Sequence, residues 1–199
     1  MTLKNDKAQT RRRLIDEALK LSATKGFSSL SLREVSQAAG ITPAAFYRHF
    51  AQMEDLGLVL LDEVGVSLRQ LLRDSRKQLG EASSVTESSI NVFLDYVTEN
   101  ANLFRLLLGE RQGASTAFRK AIHSEIDRFV SDLTEDLEKG SALRKEPISK
   151  KLAPYAAEAI VAVVFTVGAE ALDLPKHKRD SLKLRLTEEI KMILRGATK

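Results

Sequence analysis

The stretch Ser31 to Phe50, SLREVSQAAGITPAAFYRHF, leaves the backbone few choices. Ser31 can accept from the N–H three residues on while Glu34 reaches back, the reciprocal pattern that starts a helix at Leu32. Leu32, Val35 and Ala39 then recur at spacings of three and four, so one face is buried and Arg33, Ser36 and Gln37 turn outward. Gly40 stops this helix. Thr42 offers a second N-cap almost at once. Pro43 suits the next position, where its fixed φ is already helical and its missing N–H costs nothing. Two short helices joined by a tight glycine turn form a helix-turn-helix. Its second helix, here Pro43 to Phe50, lies in a DNA major groove with its N-terminal end against the base edges.

The composition of that second helix fits such a role. Thr42, Pro43, Ala44 and Ala45 are small and permit close approach. Thr42 and the early N–H groups can meet phosphate oxygens, Ala44 and Ala45 can touch thymine methyls, and Arg48 can reach guanine or phosphate. Tyr47 and His49 are read as phosphate contacts, with Ser31 and Arg33 of the preceding helix beside them; Phe46 and Phe50, four apart, are packing residues. A plain αα-hairpin would give a similar pattern. Charge argues against it: residues 1 to 50 carry a net +5, whereas the remainder carries −1 of the formal +4. Arg11, Arg12 and Arg13 open a third helix, with Leu14, Ala18 and Leu21 as its stripe, which ends at Lys25-Gly26-Phe27. These arginines and Lys7 are candidate backbone or minor-groove contacts, because basic residues release counterions from phosphates.

Residues 1 to 50 are thus expected to be a DNA-binding domain and residues 51 to 199 a helical body that supports it. The fold class is all-α. From Glu54 to Leu79 the stripe Leu56, Leu60, Val64, Leu68, Leu71 and Leu72 makes one long helix joining head to body. Gly80 and Ala82-Ser83-Ser84 are read as a break, followed by helices marked by Ile90, Phe93, Leu94 and Val97, by Leu103 to Leu108, and by Ala114 to Lys139. Residues 140 to 150 read as the most mobile loop. Pro154 to Leu172 is apolar nearly all round but interrupted by Glu158 and Glu170, and is read as a buried helix rather than a membrane span. The last helix, Lys176 to Gly196, carries Leu182, Leu186, Ile190, Ile193 and Leu194. Pairing that stripe with the alanine-rich helix across two subunits would make a homodimer bundle, suited to a palindromic double-stranded operator.

Within the body, Phe93, Val97, Phe104, Leu107, Phe118, Ile122, Phe129, Tyr155, Val164 and Phe165 fit an apolar ligand cavity and a solid core equally well. There is no Cys, no G-x-S-x-G elbow and no phosphate-cradling glycine loop, so enzyme chemistry is not expected. His123 and Asp127 lie four apart on one helix but lack a third ligand, and no metal or cofactor is expected. The N-terminal residues are charged throughout with no apolar run, so a secretory leader is not expected and the protein reads as cytoplasmic.

The text T-R-x-x-L-I-x-E-A-L-x-L, K-G-F and S-L-S-L-R-E-V-S-Q-A-A-G-I-T-P-A-A-F-Y-R-H-F resembles the N-terminal domain of the TetR family of repressors. The resemblance implies a three-helix DNA-binding head and a helical body that binds a small molecule and dimerises. Met53 stands where that family carries a phosphate-contacting lysine, so that contact is not carried over. The block F-R-L-L-L-G-E-R-Q-G-A-S-T-A-F-R-K-A-I, with D-E-x-G-x-x-L-R-Q-L and V-F-x-x-G-A-E-x-L-D, resembles the FabR branch. That branch represses unsaturated fatty acid synthesis and senses long-chain acyl thioesters, acyl-CoA or acyl carrier protein. The resemblance therefore implies an acyl chain in the apolar set and phosphate contacts from Arg105, Arg111, Arg119 and Lys120. A repressor of an efflux gene sensing a cationic or aromatic compound is the alternative, disfavoured because the apolar set contains no acidic group.

Overall fold

The computed structural model describes residues 3–77, 82–140 and 147–198, which form helices and turns with no strand among the described residues. The elements are α1 (Leu3–Lys25), a 3-10 turn (Phe27–Ser29), α2 (Leu32–Ala38), α3 (Pro43–Phe46), α4 (Met53–Lys77), α5 (Ala82–Glu99), α6 (Ala101–Glu110), α7 (Thr116–Gly140), α8 (Ala153–Gly168), 3-10 turns at Ala169–Leu172 and Lys176–Lys178, and α9 (Arg179–Gly196).

Two compact units are present, Met1–Gly65 with Ala101–His123, and Val66–Asn100 with Ser124–Lys199. In the first, α1 packs against α2, the 3-10 turn and α6, and α2 packs against α3. Leu14 and Val35 are fully buried, as are Phe46 and Leu56. A fifty-residue head buries too little surface to close its own core. It therefore recruits Phe104 and Leu106 of α6 and Phe118 of α7, all at most 3% exposed. Phe118 meets Phe27 edge-on, with ring centroids 5.2 Å apart.

The second unit packs α8 against α9 and both against α5. Phe93, Phe129 and Phe165 form its aromatic centre, with Phe165 centroids 5.7 Å from Phe93 and 5.4 Å from Phe129. Gly168 makes this possible, since any Cβ there would collide with the Phe93 ring. Residues 153–172 are long and apolar enough to cross a membrane by length and composition. Here the run is divided at Gly168 into a helix and a 3-10 turn, and its helix packs against α5 and α9.

Several details differ from the sequence reading. The second helix of the helix-turn-helix ends at Phe46, and Tyr47 to Phe50 continue as turns, with Arg48 N–H donating to Ala45 and His49 N–H to Phe46. Ser36, expected outward, is fully buried, in a helix that packs against both α1 and α3. Leu71, expected in the buried stripe of α4, is 44% exposed. Ala82, Ser83 and Ser84 begin α5 instead of breaking a helix. Leu79, Gly80 and residues 141–146 of the expected mobile loop lie outside the described residues. Ile148, within that expected mobile loop, is instead buried, and its backbone bridges to Thr198, so this end of the segment is held in place. The expected dimer stripe of α9 is used within the protomer: Leu182, Leu186, Ile190 and Leu194 are buried.

Gly57 of α4 has no room for a methyl group, because a Cβ there would lie 2.1 Å from Phe118 Cζ and 2.7 Å from Phe27 Cε1. Gly57→Ala is expected to cost about 1–3 kcal/mol through overpacking. Urea unfolding monitored by far-UV dichroism checks this; an unchanged midpoint would contradict it.

Candidate nucleic-acid interface

The helix-turn-helix is fixed by caps at both helix starts. Ser31 accepts from the Glu34 N–H at 3.2 Å, and the Glu34 carboxylate accepts from the Ser31 N–H at 3.0 Å and its hydroxyl at 2.8 Å. Lys25 donates to the other Glu34 oxygen at 2.7 Å. These donors, Lys25 foremost, lower the Glu34 carboxyl to about 2. Gly40 takes the left-handed conformation at φ 70°, and Ile41 N–H reaches back to Ser36 at 3.0 Å, which closes α2. Thr42 then caps α3, accepting from the Ala45 N–H at 3.2 Å, with Pro43 in the first turn.

Phe46 is fully buried and Phe50 nearly so, with centroids 5.7 Å apart, and they anchor α3 to its unit. Thr42, Pro43, Ala44, Tyr47 and Arg48 are exposed, and Ala45 is half-buried. This is a small-residue face with a phenol and a guanidinium at one end. It admits close approach of another backbone while offering donors.

Because α1 begins at Leu3, its arginines lie inside a helix and not in a tail. Lys7 and Arg11 are therefore one helical turn apart. The Arg11 guanidinium sits 4.8 Å from the centre of the Phe50 ring. The charges of Lys7, Arg11 and Arg48 each act on His49. Arg12 is directed elsewhere: it pairs with Asp16 at 2.9 Å and Glu63 at 3.0 Å. Arg13 donates to the Thr10 hydroxyl at 3.2 Å. Ser31 has its hydroxyl engaged by Glu34, whereas Arg33 is exposed and makes no side-chain hydrogen bond or ion pair among the described residues.

The candidate effector residues fall in both units. Phe104, Leu107, Phe118 and Ile122 are buried in the first; Phe93, Val97, Phe129 and Phe165 are buried in the second, where Val164 is half-buried. Tyr155, grouped with them by sequence, is 67% exposed and lines no interior. Among the four basic candidates, Arg119 donates to the carbonyls of Gly113 and Ala114 at 2.6 and 2.8 Å and to the Thr116 hydroxyl at 2.9 Å, and so organises the joint before α7. Lys120 is exposed, and Arg105 and Arg111 are half-buried. His123 and Asp127 are exposed, and no group of three metal-ligating side chains occurs among the described residues.

One site escaped the sequence reading. Glu125 of α7 is 7% exposed and pairs with both Arg69 and Arg128, and Arg69 lies over the Phe129 ring at 5.7 Å. The body thus does hold a buried acid, contrary to the sequence argument against a cationic effector. Its charge is met by the protein's own arginines. The register pointed to it: Glu125 follows Ile122 by three residues and precedes Phe129 by four, which puts it on the inner stripe.

The chain matches the family model "Bacterial regulatory proteins, tetR family" over residues 14–58 and "Tetracyclin repressor-like, C-terminal domain" over residues 82–193. It is 46% identical over 192 residues to an uncharacterized HTH-type transcriptional regulator of Haemophilus influenzae, covering 96% of this chain and 91% of that one. Among solved structures it resembles a transcriptional regulator from Rhodococcus sp. RHA1, with TM-score 0.76 at 19% identity over 94% of this chain and 97% of that one. It also resembles the fatty acid degradation regulator FadR from Bacillus halodurans, with TM-score 0.73 at 16% identity over 92% and 94% of the two chains. At such identities these structures show the shared fold.

His49 gives a pH signature. Its Nδ1 is buried without a hydrogen-bond partner, and burial first, then Lys7, Arg11 and Arg48, lower the imidazole below its ordinary 6.5. With the folded value depressed, the associated stability is fully present above the unfolded value and is lost as pH falls through the folded one. Thermal melts from about pH 8 to about pH 5 should show the wild type losing more stability than His49→Gln below about pH 6.5. Parallel curves would contradict this.

Proposed function

The chain belongs to the tetR family of bacterial regulatory proteins, and from that premise we propose that it represses genes of unsaturated fatty acid synthesis in response to long-chain acyl thioesters. That it is a DNA-binding transcriptional regulator follows from the family, whose members bind DNA operators and function as dimers.

In this reading Thr42, Pro43, Ala44 and Ala45 approach the base edges, and Tyr47, Arg48 and His49 meet bases and phosphates. Lys7, Arg11 and Arg13 add sequence-independent affinity, with Ser31 and Arg33 on neighbouring phosphates. Arg12 contributes less, because Asp16 and Glu63 already compensate its charge.

The acyl reading rests first on the FabR-like text of residues 104–122 and on the apolar interior around Phe93, Phe129 and Phe165. An acyl chain gains roughly 0.8 kcal/mol for each methylene that such an interior buries. Acyl-CoA and acyl carrier protein also carry phosphate, and the FabR resemblance separately implies contacts to it from Arg105, Arg111, Arg119 and Lys120. The likeness to the fatty acid degradation regulator FadR of Bacillus halodurans is one of fold. Control is a population shift: the thioester binds one arrangement of the dimer more tightly and raises its share. The FabR resemblance assigns the tightened state to the acyl-bound form. Work on an operator places the protein in the cytoplasm.

The dimer face in this reading lies opposite the buried stripe of α9. Leu184 and Met192 are 66% and 68% exposed there, and Tyr155, Ala162 and Thr166 are exposed along one side of α8. Two such helices from each subunit make a four-helix interface.

Operator binding titrated with oleoyl-CoA, palmitoyl-CoA and free CoA tests the effector. A change of about 5- to 150-fold with an acyl thioester and none with CoA is expected; indifference to every acyl thioester would refute the lipid reading and leave a regulator of another signal. Leu184→Glu with Met192→Glu should shift sedimentation equilibrium toward monomer and weaken operator binding. A variant that stays dimeric would move the interface elsewhere.

A further inference from the structure

Glu110, the last residue of α6, is 4% exposed. One carboxylate oxygen accepts from both the backbone N–H of Ser28, at 3.1 Å, and its hydroxyl, at 2.5 Å. The other oxygen is buried with no hydrogen-bond partner. A carboxylate repels phosphate, so this residue is not a DNA contact. A buried, half-satisfied carboxylate is also a poor stabiliser, since the unpartnered oxygen keeps its desolvation penalty. Ser28 lies in the 3-10 turn Phe27–Ser29, three residues before Ser31, the N-cap of α2.

A second tie of the same chemistry follows in the joint to α7. The Ser115 hydroxyl donates to Glu54 in the first turn of α4 and accepts from the Phe118 N–H at 3.1 Å, which caps α7. The segment 110–118 therefore holds the chain before α2 through Ser28 and again after α3 through Glu54. Gly113 is part of the arrangement. A Cβ on it would meet the free oxygen of Glu110 and lie 3.2 Å from its Cα and 3.3 Å from its carbonyl oxygen.

We infer that Glu110 is a positioning residue for DNA binding: by taking both donors of Ser28 it sets the pose in which α2 and α3 are presented. The inference needs no effector and stands independently of the acyl reading.

The test uses the full-length protein and an operator fragment selected from random duplex DNA by the wild type, with folded fraction followed by thermal melts. Glu110→Ala is expected to weaken operator affinity about tenfold, inside the range of site couplings. The slope of log affinity against log salt should stay unchanged, because no phosphate contact is lost. Ser28→Ala keeps the backbone donor and should lose less. The double variant should bind no worse than Glu110→Ala alone, as expected of two residues in one hydrogen-bonded unit. Glu110→Gln keeps an acceptor for both Ser28 donors and should stay within about twofold of wild type. Gly113→Ala should reproduce the tenfold loss with Glu110 still present, which keeps the inference testable if Glu110→Ala folds poorly. A Glu110→Ala or Gly113→Ala protein that melts lower yet binds with wild-type affinity would overturn the inference, as would a salt slope reduced by about one, the sign of a lost phosphate contact.

Discussion

The head of this protein cannot close its own core, and the rest of the first unit follows from that shortage. Fifty residues in one long and two short helices are too few to cover both α1 and the ring of Phe27. The cover comes from far along the chain: Phe104 and Leu106 of α6 and Phe118 of α7 bury against the head, and Gly57 of α4 gives up its side chain so that Phe118 can reach Phe27. The helix-turn-helix is consequently not a module that carries a fixed shape wherever it is attached. Its pose depends on residues 101–123, which belong in sequence to the body and in packing to the head.

Polar groups in the same unit refine what the apolar core sets. Ser31 with Glu34, and Thr42 with the Ala45 N–H, fix where α2 and α3 begin. Each such cap contributes about 1 kcal/mol, and each also removes a conformational alternative. The basic residues divide by what surrounds them. Arg12 is compensated by carboxylates, whereas Lys7, Arg11 and Arg48 each bear on His49. Sequence counts the arginines of 11–13 as equals; packing does not.

The helix-turn-helix was legible because its signals are local. The capping box, Gly40 and the Thr42-Pro43 pair each act within a few residues, and the structure keeps all three. What sequence missed depends on distant partners. Ser36 looks like a surface serine yet is fully buried once α2 packs between its neighbours, and Leu71 looks like a core leucine yet is 44% exposed. The α9 stripe was readable as apolar, but whether a protomer or a partner covers it is decided by α5 and α8. Glu125 had a register signal in its spacing from Ile122 and Phe129, yet its partner Arg69 comes from another helix. Glu110 and Ser28 are 82 positions apart, and no local pattern links them. Helix ends moved by a few residues because competing turns, such as that after Phe46, differ little in energy.

In the proposed function α3 reads a DNA sequence from a symmetric pair of heads. Selection of genomic fragments by the purified protein, followed by footprinting of the recovered sites, tests it most directly. A protected inverted repeat with half-sites one helical turn or a multiple apart is expected, with loss of that protection when Ala44 and Arg48 are replaced together. Recovery of fragments with no shared inverted repeat, or protection that survives the replacement, would contradict it.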